Sequence, residues 1–197
     1  MYTNDIKNIE LQKFYSSIIT ELHKGVIKGK HPFHLFVYGS IENGNPENRT
    51  VVFRKFNDLE FIINFHTDYR SSKIVNGSEK NVSLLFYSKE SSLQLRMKGI
   101  SKVHYNDEIT KESWSRTKEM SKECYTNTIK PGEVIENNKD YLYSGGVDKK
   151  DDIAYKNFSV VRVHVNHIDA LKLAHDGHIR AKFDLIDKKI KGNWVSP

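Results

Sequence analysis

The sequence predicts a mainly β fold, a closed or nearly closed β-barrel with peripheral helices. Three observations carry this. Short runs rich in β-branched and aromatic residues recur along the chain, turn residues separate them, and only a few segments show helical spacing. Closing such strands on one another removes the exposed edges that invite aggregation. At 197 residues the chain has the length of one ordinary domain with a true core, and it is read as a single domain over 1–197.

The elements follow in order. Ile6, Ile9, Phe14, Ile18, Leu22 and Val26 recur every three to four residues among polar ones, which predicts an amphipathic N-terminal helix within 1–30 that ends where Gly29 and Pro32 break the pattern. "FHLFVYGSI", "RTVVFRKF" and "LEFIINFH" then read as consecutive antiparallel strands separated by "ENGNPEN" and "ND". After a basic segment read as one short helix come two more strands, "VSLLFYS" and "SLQLRMKGISKVHY", linked by "KESS". "EITKESWSRTKEMSKECY" places Ile109, Trp114, Thr117, Met120 and Cys124 at helical spacing and predicts a single helix. Residues 126–156 are polar and read as a long excursion. "NFSVVRVHV" and "HIRAKFDLI" are the last strands, followed by the terminal "NWVSP".

Composition narrows the function classes. Hydrophobic residues make up 38% and charged residues 28%, with a formal net charge of +6, which favours anionic partners such as phosphorylated small molecules. The basic residues are spread along the chain rather than gathered on one tail or helix face, so nucleic acid is not the expected partner. No apolar run has the length of a bilayer span and the first residues lack a signal peptide's pattern, so the expected address is cytoplasmic, with no membrane partner. The single cysteine, Cys124, is expected as a packed thiol. His31 and His34, like His164 and His167, are three residues apart, but no cysteine pair or carboxylate set completes a ligand group, and no metal is expected.

The stretch "HTDYRSSK", His66 to Lys73, carries the sharpest chemistry. A strand ending at His66 and a helix starting near Asp68 would present backbone N–H groups of Arg70 to Lys73 to an anion. Arg70 and Lys73 add positive charge, and Thr67, Ser71 and Ser72 add hydroxyl donors suited to phosphate oxygens. The alternative reading is a capped surface helix with solvated charges.

The neighbouring motifs bear on that choice. The order Arg49-x-Val51-Val52-x-Arg54, apolar strand, Thr67-Asp68-x-Arg70-Ser71-x-Lys73, apolar strand, Gln94-x-Arg96-x-x-Gly99 resembles the pyridoxamine 5'-phosphate oxidase-like family of FMN-binding split β-barrels, in its branch carrying "TDxRSxK". The likeness runs from His31 to Gly99 and continues more weakly to the C-terminal "GHIRAKF". It implies a homodimer with FMN at the subunit interface. Arg70, Ser71 and Lys73 become phosphate ligands, with Ser72 where the oxidases often carry arginine. His66 and Thr67 lie beside the flavin. Arg49, Thr50, Val51, Val52 and Arg54 belong to the strand along the ring, Gln94 reaches the ring from the neighbouring strand, and Arg180 approaches it from the second subunit. For the substrate, Arg54 matches a phosphate-binding cation, Trp114 stands in a tyrosine's place, and Arg116, Lys118 and Ser121 share its helix. His178 matches a histidine of the oxidases' Arg-x-His motif, but Asp176 replaces the arginine and "ALKL" replaces an expected tryptophan. An acidic residue there would repel a substrate phosphate.

The resemblance implies an FMN-dependent oxidoreductase acting on a small, phosphorylated substrate, in which no side-chain acid or base is obligatory and no catalytic residue is assigned. Two other functions stay open: an FMN-binding protein that stores, senses or delivers the cofactor, and a basic barrel that stacks single-stranded nucleic acid on Phe36, Tyr38 and Phe53.

Overall fold

The computed structural model describes residues 1–74, 79–137 and 151–197. They divide into two compact units, the first comprising Met1–Phe65, Lys80–Ser101 and Arg162–Pro197 and the second His66–Glu79 and Lys102–Val161. The strands, in chain order, are β1 (Thr3–Asn4), β2 (Leu35–Glu42), β3 (Asn45–Val52), β4 (Lys55–Asn57), β5 (Ile62–Asp68), β6 (Lys80–Ser88), β7 (Leu93–His104), β8 (Phe158–Lys172), β9 (Ile179–Ile186) and β10 (Lys189–Val195). Their order in the sheet is β1-β10-β9-β8-β7-β6-β2-β3, with β5 paired to β4 and β8. Among the described residues β1 and β3 do not pair with each other, so the sheet is open, as in a split barrel.

In the first unit, helix α1 (Ile9–Ile27) starts at Asn8, whose side chain accepts the Leu11 N–H. Its buried face is Leu11, Tyr15, Ile18, Leu22 and Gly25. This corrects the expected apolar stripe, because Ile9 is exposed and the helix turns Tyr15 inward against Phe183, ring centroids 5.1 Å apart. Gly25 is required by contact: a Cβ there would sit 2.8 Å from the Phe33 carbonyl oxygen. The "ENGNPEN" stretch is shorter as a loop than expected. Asn43 and Gly44 alone make the turn, at φ 51° and 82°, and β3 begins at Asn45. Positive φ at both central residues matches the right-handed twist of the flanking strands, which is why Asn-Gly closes hairpins.

The core of this unit is aromatic. Phe33, Phe53, Phe61, Phe65 and Phe86 are fully buried and Phe36 nearly so. Phe36 stacks on Phe86 at 4.7 Å. Strand alternation places these rings: β6 buries Val82, Leu84, Phe86 and Ser88 and turns Asn81, Ser83, Leu85 and Tyr87 outward. Gly99 of β7 is needed where β7 meets β8, since a Cβ would lie 2.4 Å from the His164 carbonyl oxygen. The terminal "NWVSP", expected to follow the last strand, instead contributes Asn193, Trp194 and Val195 to a further strand, β10, which pairs with β9. The periodicity there is masked by the short polar "KGN" interior.

In the second unit, α2 (Glu108–Ser115) begins with a capping box: Asp107 accepts the Thr110 N–H and Thr110 Oγ1 accepts the Asp107 N–H. The single helix expected over 108–125 is broken. Lys118 takes extended backbone, Thr117 bonds back to the Ser113 carbonyl, and a separate α3 (Glu119–Lys122) follows. Within the excursion expected over 126–156, Thr126 and Asn127 are buried and α4 (Asp151–Asn157) leads into β8, and 138–150 lies outside the described residues. Trp114, Ala154, Phe158 and Val160 form this unit's core.

Candidate FMN site

The second unit contains the turn after β5. The expected helix start is instead an Asx-type turn built on Asp68. Its Oδ1 accepts the Arg70 N–H at 2.8 Å, and its carbonyl accepts the Ser71 N–H at 3.1 Å. A short 3₁₀ turn, Ser72–Ile74, follows. Two of the backbone donors expected to face an anion are therefore committed to Asp68.

Arg70 is committed as well. Its Nε and Nη2 bond both oxygens of Asp68 at 3.0 and 2.7 Å, and Nη1 and Nη2 donate to the carbonyls of Thr128 and Asn127. The guanidinium thus ties the turn to 127–128 within its own unit. Asn157 reinforces the same place by donating to the Tyr125 carbonyl, and its own carbonyl accepts the Tyr69 N–H.

Lys73 turns toward hydroxyls. Its Nζ donates to Thr67 Oγ1 at 3.0 Å and to Ser71 Oγ. Thr67 and Ser71 are both buried, and because each hydroxyl accepts from the ammonium, each retains its own proton to donate. One ammonium and two short hydroxyl donors converging on one place have the chemistry that a phosphate dianion requires. Thr67 is held from behind, where Ser159 Oγ donates to its carbonyl at 2.8 Å. His66 packs its ring edge-on to Phe158 at 4.8 Å, and Ser72 is exposed.

The first unit contains the remaining ring-side candidates. Arg49 stands across from Tyr38 in the β2–β3 ladder, lies over its ring, and donates to Ser40 Oγ at 2.6 Å and to Glu42. Thr50, Val51 and Val52 pair with Val37, Phe36 and Leu35, and Arg54 follows β3 as an exposed residue whose N–H bonds the Asn64 carbonyl. Gln94 faces Tyr87 across β6–β7. Arg180 is bidentate on Asp169, Nε to Oδ1 at 2.9 Å and Nη2 to Oδ2 at 2.8 Å, and Arg96 donates to the same Oδ2 at 2.5 Å. Asp169 was not singled out from sequence, although its alternation with His167 on β8 and its place beside the expected strand "NFSVVRVHV" were available.

The hydrogen bonds of Arg180, opposed by burial and aided by Arg96, hold the Asp169 carboxyl down at about 2. The folded value lies below the ordinary 3.8, so the stabilisation is complete above about pH 4 and is lost as pH falls through about 2. Urea unfolding of wild type and Asp169→Asn is expected to differ by on the order of 2 kcal/mol at pH 6 and to converge toward pH 2.

Two substrate candidates have partners within the fold. Trp114 is a core residue of the second unit, its ring 5.0 Å from that of Phe158 and covered by Lys122 at 5.0 Å, because the apolar spacing that marks α2 also turns this side chain inward. His178 is exposed, and its Nδ1 accepts the Ala174 N–H across the turn that contains Asp176 and Gly177. Lys118 is exposed at the break between α2 and α3, and Arg116 pairs with Glu112.

Residues 12–105 match the family model described as "Pyridoxamine 5'-phosphate oxidase, FMN-binding domain". Over that stretch the chain is similar to the FMN-binding domain of the pyridoxamine 5'-phosphate oxidase-like family. The match contains the motif from Arg49 to Arg54, the Thr67–Lys73 turn and Gln94, and stops before Trp114, His178 and Arg180. Solved structures share the fold. A pyridoxamine 5'-phosphate oxidase-related FMN-binding protein from Nostoc punctiforme PCC 73102 superposes with TM-score 0.75 at 19% identity, covering 93% of this chain and 97% of that one. PhzG from Burkholderia lata 383, in complex with tetrahydrophenazine-1-carboxylic acid, gives 0.65 at 16%, covering 96% and 92%. A protein related to general stress protein 26 from Clostridium acetobutylicum gives 0.56 at 11%, covering 90% and 98%. No curated protein matches the sequence. Among the described residues no helix is long and apolar enough to cross a membrane.

Proposed function

We propose that this pyridoxamine 5'-phosphate oxidase-like protein is a cytoplasmic, homodimeric FMN-dependent oxidoreductase that oxidises a small, phosphorylated substrate. The observation that carries the reading is the convergence of Lys73 Nζ on the hydroxyls of Thr67 and Ser71. Bound FMN supplies hydride acceptance at its N5 atom. The chain's own residues bind and orient. Lys73, Thr67 and Ser71 take the terminal phosphate, and Arg70, tied to Asp68, holds the turn that presents them. The ring-side assignments of Arg49, Thr50, Val51, Val52, Arg54, His66, Gln94 and Arg180 belong to the same proposal. Arg49 and Arg180 would set positive charge near the pole where a reduced ring gathers electrons.

A second reading, a non-catalytic FMN carrier or sensor, is favoured by the substrate side. Trp114 is buried, His178 closes a turn, and Asp176 replaces the oxidases' arginine. The visible spectrum of purified protein titrated with FMN tests both. The oxidoreductase reading expects one flavin per chain and bleaching when pyridoxamine or pyridoxine 5'-phosphate is added without oxygen. A yellow protein that no phosphorylated vitamer or reduced nicotinamide bleaches selects the carrier. A protein that does not retain FMN at micromolar concentration overturns both.

A further inference from the structure

A groove of about 300 Å³ lies in the first unit between α1, the turn joining β6 to β7 and the end of β8, at the lower end of the size range of small-molecule sites. Every residue lining it belongs to that unit, and none is assigned to the flavin. Phe14 and Leu93 form an apolar patch, and Phe14 is held by stacking on Trp194, ring centroids 5.6 Å apart.

The polar groups divide by what they can still offer. On α1, Ser17 Oγ donates its proton to the Phe14 carbonyl at 2.7 Å and Thr20 Oγ1 donates to the Ser16 carbonyl at 3.0 Å, so both hydroxyls present lone pairs. Glu21, on the same helix face, adds a carboxylate whose charge is balanced by Lys24 at 2.7 Å. This wall accepts. The opposite wall donates. Lys172, the last residue of β8, is exposed and pairs with no carboxylate among the described residues. Ser91 Oγ is buried with no hydrogen-bond partner among the described residues, although the Ser91 N–H is bonded to Ser88 Oγ at 3.2 Å. The Leu173 N–H donates to the Ser92 carbonyl at 2.9 Å and so ties the end of β8 to this turn. A buried hydroxyl without a partner carries a desolvation cost that a bond to a ligand recovers.

We propose that this groove binds a free α-amino acid with an apolar side chain, its carboxylate taken by Lys172 and Ser91, its ammonium by Ser17, Thr20 and Glu21, and its side chain laid on Phe14 and Leu93. The ligand has to give protons to one wall and take them from the other. A bare anion would meet Lys172 and leave the acceptors of α1 without donors, and a neutral sugar would leave the ammonium of Lys172 without a counter-charge. A zwitterion does both.

The test titrates L-leucine into the full-length, FMN-supplied protein and follows the indole N–H resonance of Trp194 by NMR, because that ring stacks on Phe14. Trp114, which does not line the groove, supplies the reference signal. L-Leucine is expected to bind with a Kd of about 1 mM or tighter, and isovalerate, which lacks the ammonium, and isoamylamine, which lacks the carboxylate, are each expected to bind at least about tenfold more weakly. Lys172→Met, at an exposed side chain, is expected to weaken leucine about tenfold and to leave isoamylamine within about twofold of wild type. Ser91→Ala is expected to weaken leucine about threefold while the unfolding midpoint without leucine stays level or rises, since alanine has no hydroxyl to leave unpaired. The proposal is overturned if leucine at about 10 mM leaves the Trp194 signal unmoved, if isovalerate binds as tightly as leucine, or if Lys172→Met binds leucine as wild type does. Flavin retention, read by absorbance in the same samples, keeps failure here distinct from failure of FMN binding.

Discussion

Replacing Lys73 with methionine is expected to weaken FMN binding about 10–100-fold while leaving riboflavin, which lacks the phosphate, within about twofold of wild type. The reasoning starts from the donor count. A hydrogen bond to a charged partner is worth about 1.5–3 kcal/mol, and each 1.4 kcal/mol is a factor of ten in Kd. Lys73 contributes such a bond and a full charge, whereas Thr67 and Ser71 contribute neutral donors, so Thr67→Val and Ser71→Ala should each cost only about 3–10-fold. Arg70 is expected to behave differently. Its four bonds to Asp68, Asn127 and Thr128 make it a brace, and Arg70→Gln leaves the buried Asp68 without its guanidinium. That costs on the order of 3 kcal/mol of stability. FMN and riboflavin should then weaken together and the unfolding midpoint should drop. Fluorescence quenching of each flavin, with urea unfolding of each variant, separates the two behaviours. A Lys73→Met protein that holds FMN as tightly as wild type would refute the assignment of the phosphate to this turn.

The difference between Lys73 and Arg70 marks where sequence reading stops. The motif Thr67-Asp68-x-Arg70-Ser71-x-Lys73 announces donors and charge, and the hydroxyl-to-ammonium convergence follows from it. It does not announce which cation braces the turn. Asp68 lies two residues from Arg70 and is an obvious partner in hindsight, yet the carbonyls of Asn127 and Thr128 that finish the brace lie far along the chain, in a stretch whose polar composition suggested only a loop. Strand content was legible because alternation is a local signal, as in β6 and β9. Helix α2 was legible through Trp114, but spacing alone cannot say whether an inward tryptophan meets a core or a ligand, and here it meets Phe158. The same limit applies to Asp169, whose role depends on two arginines supplied by β7 and β9. The Gln-x-Arg-x-x-Gly spacing has a local physical reason that no pattern states: at Gly99 the next backbone is too near for any side chain.

The second large effect lies in the core. Phe86→Ala is expected to destabilise the protein by about 3–5 kcal/mol, the usual cost of emptying a fully buried aromatic site. Phe86 is the hub of the aromatic cluster, its ring 4.7 Å from Phe36, 5.3 Å from Phe33 and 5.4 Å from Phe53. Those neighbours come from β2, from the turn before it and from the link after β3, so relaxation around the cavity would have to move separate pieces of backbone, and the void should stay open. Phe86→Leu refills most of the volume and should cost less than half as much. Tyr87 is the control, because strand alternation puts it on the opposite face, 51% exposed. Tyr87→Ala should change the urea midpoint by no more than about 1 kcal/mol equivalent. The contrast between adjacent residues tests register directly: a slip of one position along β6 would exchange the two faces and bury Tyr87 in place of Phe86. Equal losses at 86 and 87, or a larger loss at 87, would disprove the pairing of β6 with β2 and β7 on which the whole aromatic core depends.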